Sequence, residues 1–170
     1  MFNSKTISKI INLGPLILLY YLSISEIDAH FENYFEILSF NIQLIIIYFW
    51  VSKRPEALGS GHIFFAGLIN DVVMGFPLGL SSLSYLVISF VALYVKNMTV
   101  NTRITTDWFT FFIAIFFSNT ILFILLSNFS EIGINFTELS YNTFFTLLFF
   151  PFFWFLFSLY NSILTTGKHA

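Results

Sequence analysis

Asp71 is the residue in this chain whose placement most demands an explanation, because a carboxylate deep in apolar sequence must be held by partners or put to use. Gly67, Asp71 and Gly75 fall at i, i+4 and i+8, so a helix through them puts all three on one face. Small residues at that spacing let a second helix backbone approach closely, with the carboxylate hydrogen-bonded inside the contact. Two uses remain open. Asp71 could pin a turn by accepting hydrogen bonds from amides around Gly79 to Ser82, or it could serve a partner, a proton or a substrate.

Other polar groups are weaker candidates. Gly59-Ser60-Gly61-His62 invites comparison with an intramembrane serine protease, but there is no Gly-x-Ser-x-Gly elbow, and His62 is too near Ser60 along the chain to act as its base. That run reads instead as a flexible entry to a helix. His30, His62 and His169 have no paired spacing, and the absence of cysteine removes thiol chemistry, so no metal or cofactor is expected. Ser118-Asn119-Thr120 lies in the middle of an apolar stretch, where an unpaired amide would cost several kcal/mol. It should therefore face protein, either bonded to a neighbouring helix or sharing a ligand pocket with Asn41 and Gln43.

The elements that must position these groups are set by composition. A chain of 170 residues that is 57% hydrophobic and only 9% charged lies far from the soluble balance of roughly 25% charged residues. It reads as one integral membrane domain over residues 1–170, with no length left for a separate soluble unit. The 25 Phe are read as packing bulk, not as a cofactor box. Six stretches approach the roughly 20 apolar residues needed to span a membrane: Ile7 to Ile24, Phe35 to Val51, His62 to Met74, Leu78 to Val95, Trp108 to Leu126 and Asn142 to Leu164. The first resembles a signal peptide with a passable cleavage site at Ser23-Ile24-Ser25, but Pro15, Tyr20 and Tyr21 suit a retained helix. Tyr48 and Trp50 are expected in an interfacial aromatic belt. Pro151 is expected to kink the last helix, with its freed carbonyl satisfied by a neighbour or water. Ser127 to Tyr141 reads as the longest polar loop.

Charge then orients the spans. With six spans drawn, all seven basic residues, Lys5, Lys9, Lys53, Arg54, Lys96, Arg103 and Lys168, fall on one side. Glu26, Asp28, Glu32, Glu131 and Glu138 fall on the other. By the positive-inside rule both termini are cytoplasmic. No basic run is long enough to grip nucleic acid. Lys53 and Arg54 are instead placed to meet anionic lipid headgroups, each contact worth about 1 kcal/mol.

Between the third and fourth spans the sequence names a reversal chemically. Pro77 fixes φ, and Gly75 and Gly79 allow unusual backbone angles, so the two helices form a tight antiparallel hairpin. The order Arg54-Pro55, a helix ending Ile69-Asn70-Asp71-Val72-Val73-Met74-Gly75, then Phe76-Pro77-Leu78-Gly79-Leu80 and an apolar helix with Tyr85-Leu86 resembles the MreD family of bacterial rod shape-determining membrane proteins. The resemblance is dense from Arg54 to Tyr94; elsewhere it covers hydropathy, length and span number.

It implies an all-α bundle of six transmembrane helices in the bacterial inner membrane, similar to the substrate-binding components of energy-coupling-factor transporters. It also implies a non-enzymatic scaffold working with an MreC-like bitopic protein, the wall-synthesis enzymes of elongation and, indirectly, MreB filaments, with Arg54 and Pro55 in a loop that docks a cytoplasmic partner. The alternative is a small-molecule-binding subunit of such a transporter. The bulky run Leu16 to Tyr21 argues against it, because those subunits usually carry a small-residue stripe in the first helix. A membrane enzyme is disfavoured because no pair of titratable groups is seen that could act together within the bilayer.

Overall fold

The computed structural model describes residues 13–25, 41–98, 103–129 and 136–166, and all regular structure among them is helical. Six helices follow in order: α1 (Gly14–Ile24), α2 (Ile42–Lys53), α3 (Ser60–Met74), α4 (Leu80–Met98), α5 (Ile104–Phe129) and α6 (Phe136–Thr166). Of these, α4, α5 and α6 are each long and apolar enough to cross a membrane, while α1, α2 and α3 are shorter apolar helices. The expected starts of the first two spans, residues 7–12 and 35–40, lie outside the described residues. So do the acidic residues Glu26, Asp28, Glu32 and Glu131 used to orient the chain.

The centre of the molecule is α2. Asn41 caps its start by accepting the Leu44 amide at 3.2 Å, and every residue from Leu44 to Ser52 is buried. A helix apolar on all sides has to be surrounded, and α1, α4 and α6 pack against it. Tyr48 and Trp50 are therefore core residues with essentially no exposure, not members of an aromatic belt. Hydropathy gives the depth of such rings but not the direction in which they point. Tyr48 lies edge-on to both Phe111 of α5 and Phe150 of α6, which stack with ring centroids 4.4 Å apart.

Against this post α4 supplies a face of small residues. Ser81, Ser82, Ser84, Ser89 and Ala92 are buried where α4 runs along α3, α5 and α2. Small side chains let helix backbones approach, and in an apolar solvent that close packing is what holds helices together.

Two expected boundaries move. The loop from Ser127 to Tyr141 is largely helical, since α5 continues to Phe129 and α6 begins at Phe136. Neither flank contains Pro or Gly, and a helix with no breaker continues past the hydrocarbon boundary that a hydropathy window detects. The expected flexible entry at Gly59 to His62 also shortens: Gly59 is the extended N-cap, and Ser60, Gly61 and His62 already belong to α3.

Candidate functional site

The hairpin between α3 and α4 is locked by Asp71 in both directions along the chain. Its carboxylate, wholly buried, accepts the Gly79 amide on Oδ2 and the Ser81 amide on Oδ1, each at 2.8 Å. Its carbonyl accepts the amides of Gly75 and Phe76, the latter at 2.9 Å, which closes the end of α3. Gly75 makes this possible by adopting φ 67°, and Gly79 takes φ 97° before α4 begins. The reversal is completed by the Leu80 amide, which donates to the Pro77 carbonyl at 3.2 Å.

Gly67 acts one turn below. A Cβ there would overlap the backbone of Ser82, so α3 and α4 touch main chain to main chain at that level. Ser82 Oγ donates to the Phe64 carbonyl at 2.9 Å across the same contact. Gly75 does not share this role, because it is exposed at the helix end with open space around it and serves the turn alone.

Asn70 extends the lock sideways. Its Nδ2 donates to Ser81 Oγ at 3.0 Å, and its Oδ1 accepts Gln43 Nε2 at 3.3 Å. Gln43 also donates to the Leu22 carbonyl at 3.1 Å, so one chain of side-chain bonds ties α1, α2, α3 and α4. Asn41 is not part of it: its side chain caps α2 and its amide donates to Thr146 Oγ1 of α6 at 2.9 Å.

The Ser118-Asn119-Thr120 run divides three ways. Buried Ser118 bonds the hydroxyl of Ser84 and donates to its carbonyl at 3.2 Å, while Asn119 Nδ2 donates to Thr143 Oγ1 at 2.6 Å. Thr120 is exposed and returns its hydroxyl to the Phe116 carbonyl of its own helix, contrary to the expectation that it faces protein. Successive residues on a helix point about 100° apart, so three in a row cannot all face inward. Asn41, Gln43 and Asn119 bond to different groups and do not line a common ligand site.

At the opposite end of the bundle stands a group that sequence reasoning missed. Lys53 Nζ meets Asp107 Oδ2 at 2.8 Å, and the indole N–H of Trp154 donates to the same oxygen at 2.8 Å. The ammonium also sits 5.7 Å from the Trp154 ring centre. Asp107 is buried, its carboxylate lies in the first turn of α5, and Lys53 closes α2, so each charge also suits its helix dipole. Lys53 is thus engaged inside the protein rather than turned wholly to headgroups, and titratable groups do pair in this bundle. Arg54 and Pro55 follow in a turn whose Arg54 carbonyl accepts the Ala57 amide at 2.9 Å, with Pro55 in the second position that favours it. Among the described residues no cluster of His or carboxylates is arranged to hold a metal ion.

These features define a helical membrane protein whose buried polar groups serve mainly to join helix to helix. The chain belongs to the MreD family: the family model described as rod shape-determining protein MreD matches residues 8–162. Neither a curated protein nor a solved structure matches it. Membership in that family makes it a rod shape-determining membrane protein, associated with the cell-shape machinery.

Proposed function

We propose that this protein is a non-enzymatic scaffold of the bacterial cell-elongation machinery, seated in the inner membrane with six spans and both termini in the cytoplasm. It couples peptidoglycan synthesis to rod shape by holding an MreC-like bitopic protein together with elongation-specific wall synthases, and it engages MreB filaments indirectly. Beyond family membership, one observation supports this reading. Many of the buried polar side chains are engaged between helices, while α5 and α6 turn long apolar faces outward, with Phe116, Phe144, Phe155 and Ile163 all exposed. Such faces suit lateral contact with lipid or with another protein's helix.

The locked hairpin and the turn at Arg54 and Pro55 are the structural motifs proposed to hold the partner-facing surfaces in place. A fold similar to the substrate-binding components of energy-coupling-factor transporters is compatible with six packed helices. The transport function gains no support, because Gln43, Ser118 and Asn119 are each bonded to a different neighbouring helix and do not meet one another.

Co-purification in mild detergent from rod-shaped cells tests the proposal. A bitopic wall protein and elongation synthases should come along, and depletion should turn the cells round. Recovery of an energy-coupling ATPase module in their place would overturn it.

A further inference from the structure

The tip of the α3–α4 hairpin combines three properties that a turn in water has no need to combine. Its side chains are apolar and face outward: Leu78 is 73% exposed, Val72 on the last turn of α3 is 68% exposed, and Phe76 lies between them. Three of its backbone donors are satisfied from within, the amides of Gly79 and Ser81 by the Asp71 carboxylate and that of Phe76 by the Asp71 carbonyl, and only the Leu78 amide at the apex is left to face the headgroups. Pro77 brings no donor at all. Finally, one of its arms is short. The 15 residues of α3 rise about 22 Å against a hydrocarbon core of about 30 Å, so α3 limits how far the hairpin reaches.

A turn in water can leave its amides to the solvent. In hydrocarbon each unsatisfied amide costs several kcal/mol, so non-helical backbone is tolerated there only when its polar groups are met by protein. Asp71 meets three of them here, and the length of α3 leaves the turn several ångströms short of the far surface.

We propose that the turn from Gly75 to Gly79 lies inside the outer leaflet, with Phe76, Pro77 and Leu78 against lipid acyl chains just beneath the headgroups. This rests on the six-span reading, which directs this end of the hairpin outward. A short hairpin so placed draws the headgroups over it inward and thins the bilayer on one side of the bundle.

The chain has no cysteine, so a single nitroxide label can be placed without altering the background. Leu78→Cys, labelled and reconstituted in vesicles of phosphatidylethanolamine and phosphatidylglycerol, should collide strongly with oxygen and weakly with a water-soluble nickel chelate. The oxygen-to-nickel ratio should exceed that of Glu56→Cys several-fold, and Val72→Cys, one turn deeper, should give a higher ratio still. Free access of the nickel chelate at Leu78→Cys would place the tip in water and overturn the proposal. Exclusion of both probes would mean that protein covers the tip, with the same result. Orientation is read separately, with a membrane-impermeant maleimide on intact spheroplasts: Gly133→Cys should react and Glu56→Cys should not. The reverse pattern would refute the six-span orientation while leaving the depth of Leu78 measured on its own.

Discussion

The indole N–H of Trp108 donates at 3.0 Å to the carbonyl of Leu147, the acceptor that Pro151, four residues further along α6, cannot reach because it has no N–H. A proline inside a membrane helix is thus accommodated by a side chain of the neighbouring helix α5. Trp108→Phe should leave that carbonyl unpaired and lower stability by about 1–3 kcal/mol. Adding Pro151→Ala restores a backbone donor, so the double variant should recover much of the loss. Thermal unfolding in detergent would show this, and equal damage in single and double variants would refute the pairing.

Asp71 uses both carboxylate oxygens as acceptors. Asn can replace one of them and Ala neither. Asp71→Asn should therefore be intermediate, still accumulating and supporting rods, whereas Asp71→Ala should lose about 3 kcal/mol or more from two charge-assisted bonds. Thermal stability, protein level and cell shape together check the order. If Asn proved as damaging as Ala in a protein that stays folded, the negative charge itself would be what matters.

Gly67 and Gly61 lie on the same helix in opposite circumstances. A Cβ at Gly67 overlaps the Ser82 backbone, while nothing lies within 4 Å of one at Gly61. Gly67→Ala should cost about 1–3 kcal/mol through separation of α3 from α4. Gly61→Ala should be neutral or slightly stabilising, by up to about 1 kcal/mol. Unfolding midpoints of the two variants, measured side by side, decide the matter.

Gly79 has open space around it but a φ that side chains resist. Gly79→Val should reduce the yield of folded protein, at a cost of about 1–3 kcal/mol, and unchanged abundance and melting would show that the turn does not organise the hairpin.

The ion pair invites a double-mutant cycle. Lys53→Met leaves a buried carboxylate with only Trp154 as donor and should cost about 3–5 kcal/mol. In Lys53→Met/Asp107→Asn the charge is gone while the amide oxygen still accepts from Trp154, so stability should return towards the parent. Additive losses would show that the two residues do not act as a pair.

What could be read in the sequence depended on how local each signal was. Asp71 announced itself, because a carboxylate just ahead of Gly-Phe-Pro-Leu-Gly lies within ten residues of the amides it binds. Asp107 did not, because its partners Lys53 and Trp154 stand 54 and 47 residues away and the apolar window begins only at Trp108. A usable signal existed: with six spans drawn, Asp107 falls beside Arg103 on the basic side, where an acid has cations to meet. The contrast between Ser118 and Thr120 was also hidden, since hydropathy reports depth along a helix and says nothing of azimuth.

The burial of α2 on all sides has a consequence for how the molecule is made. The helix that becomes the centre leaves the ribosome before two of the helices that enclose it, α4 and α6. Its apolar run can wait in lipid, but Lys53 must wait for Asp107 in α5 and then for Trp154 in α6. Assembly is therefore not finished at the membrane until α6 has emerged, and a nascent chain stalled before α6 carries an unsealed centre with one charge only half partnered.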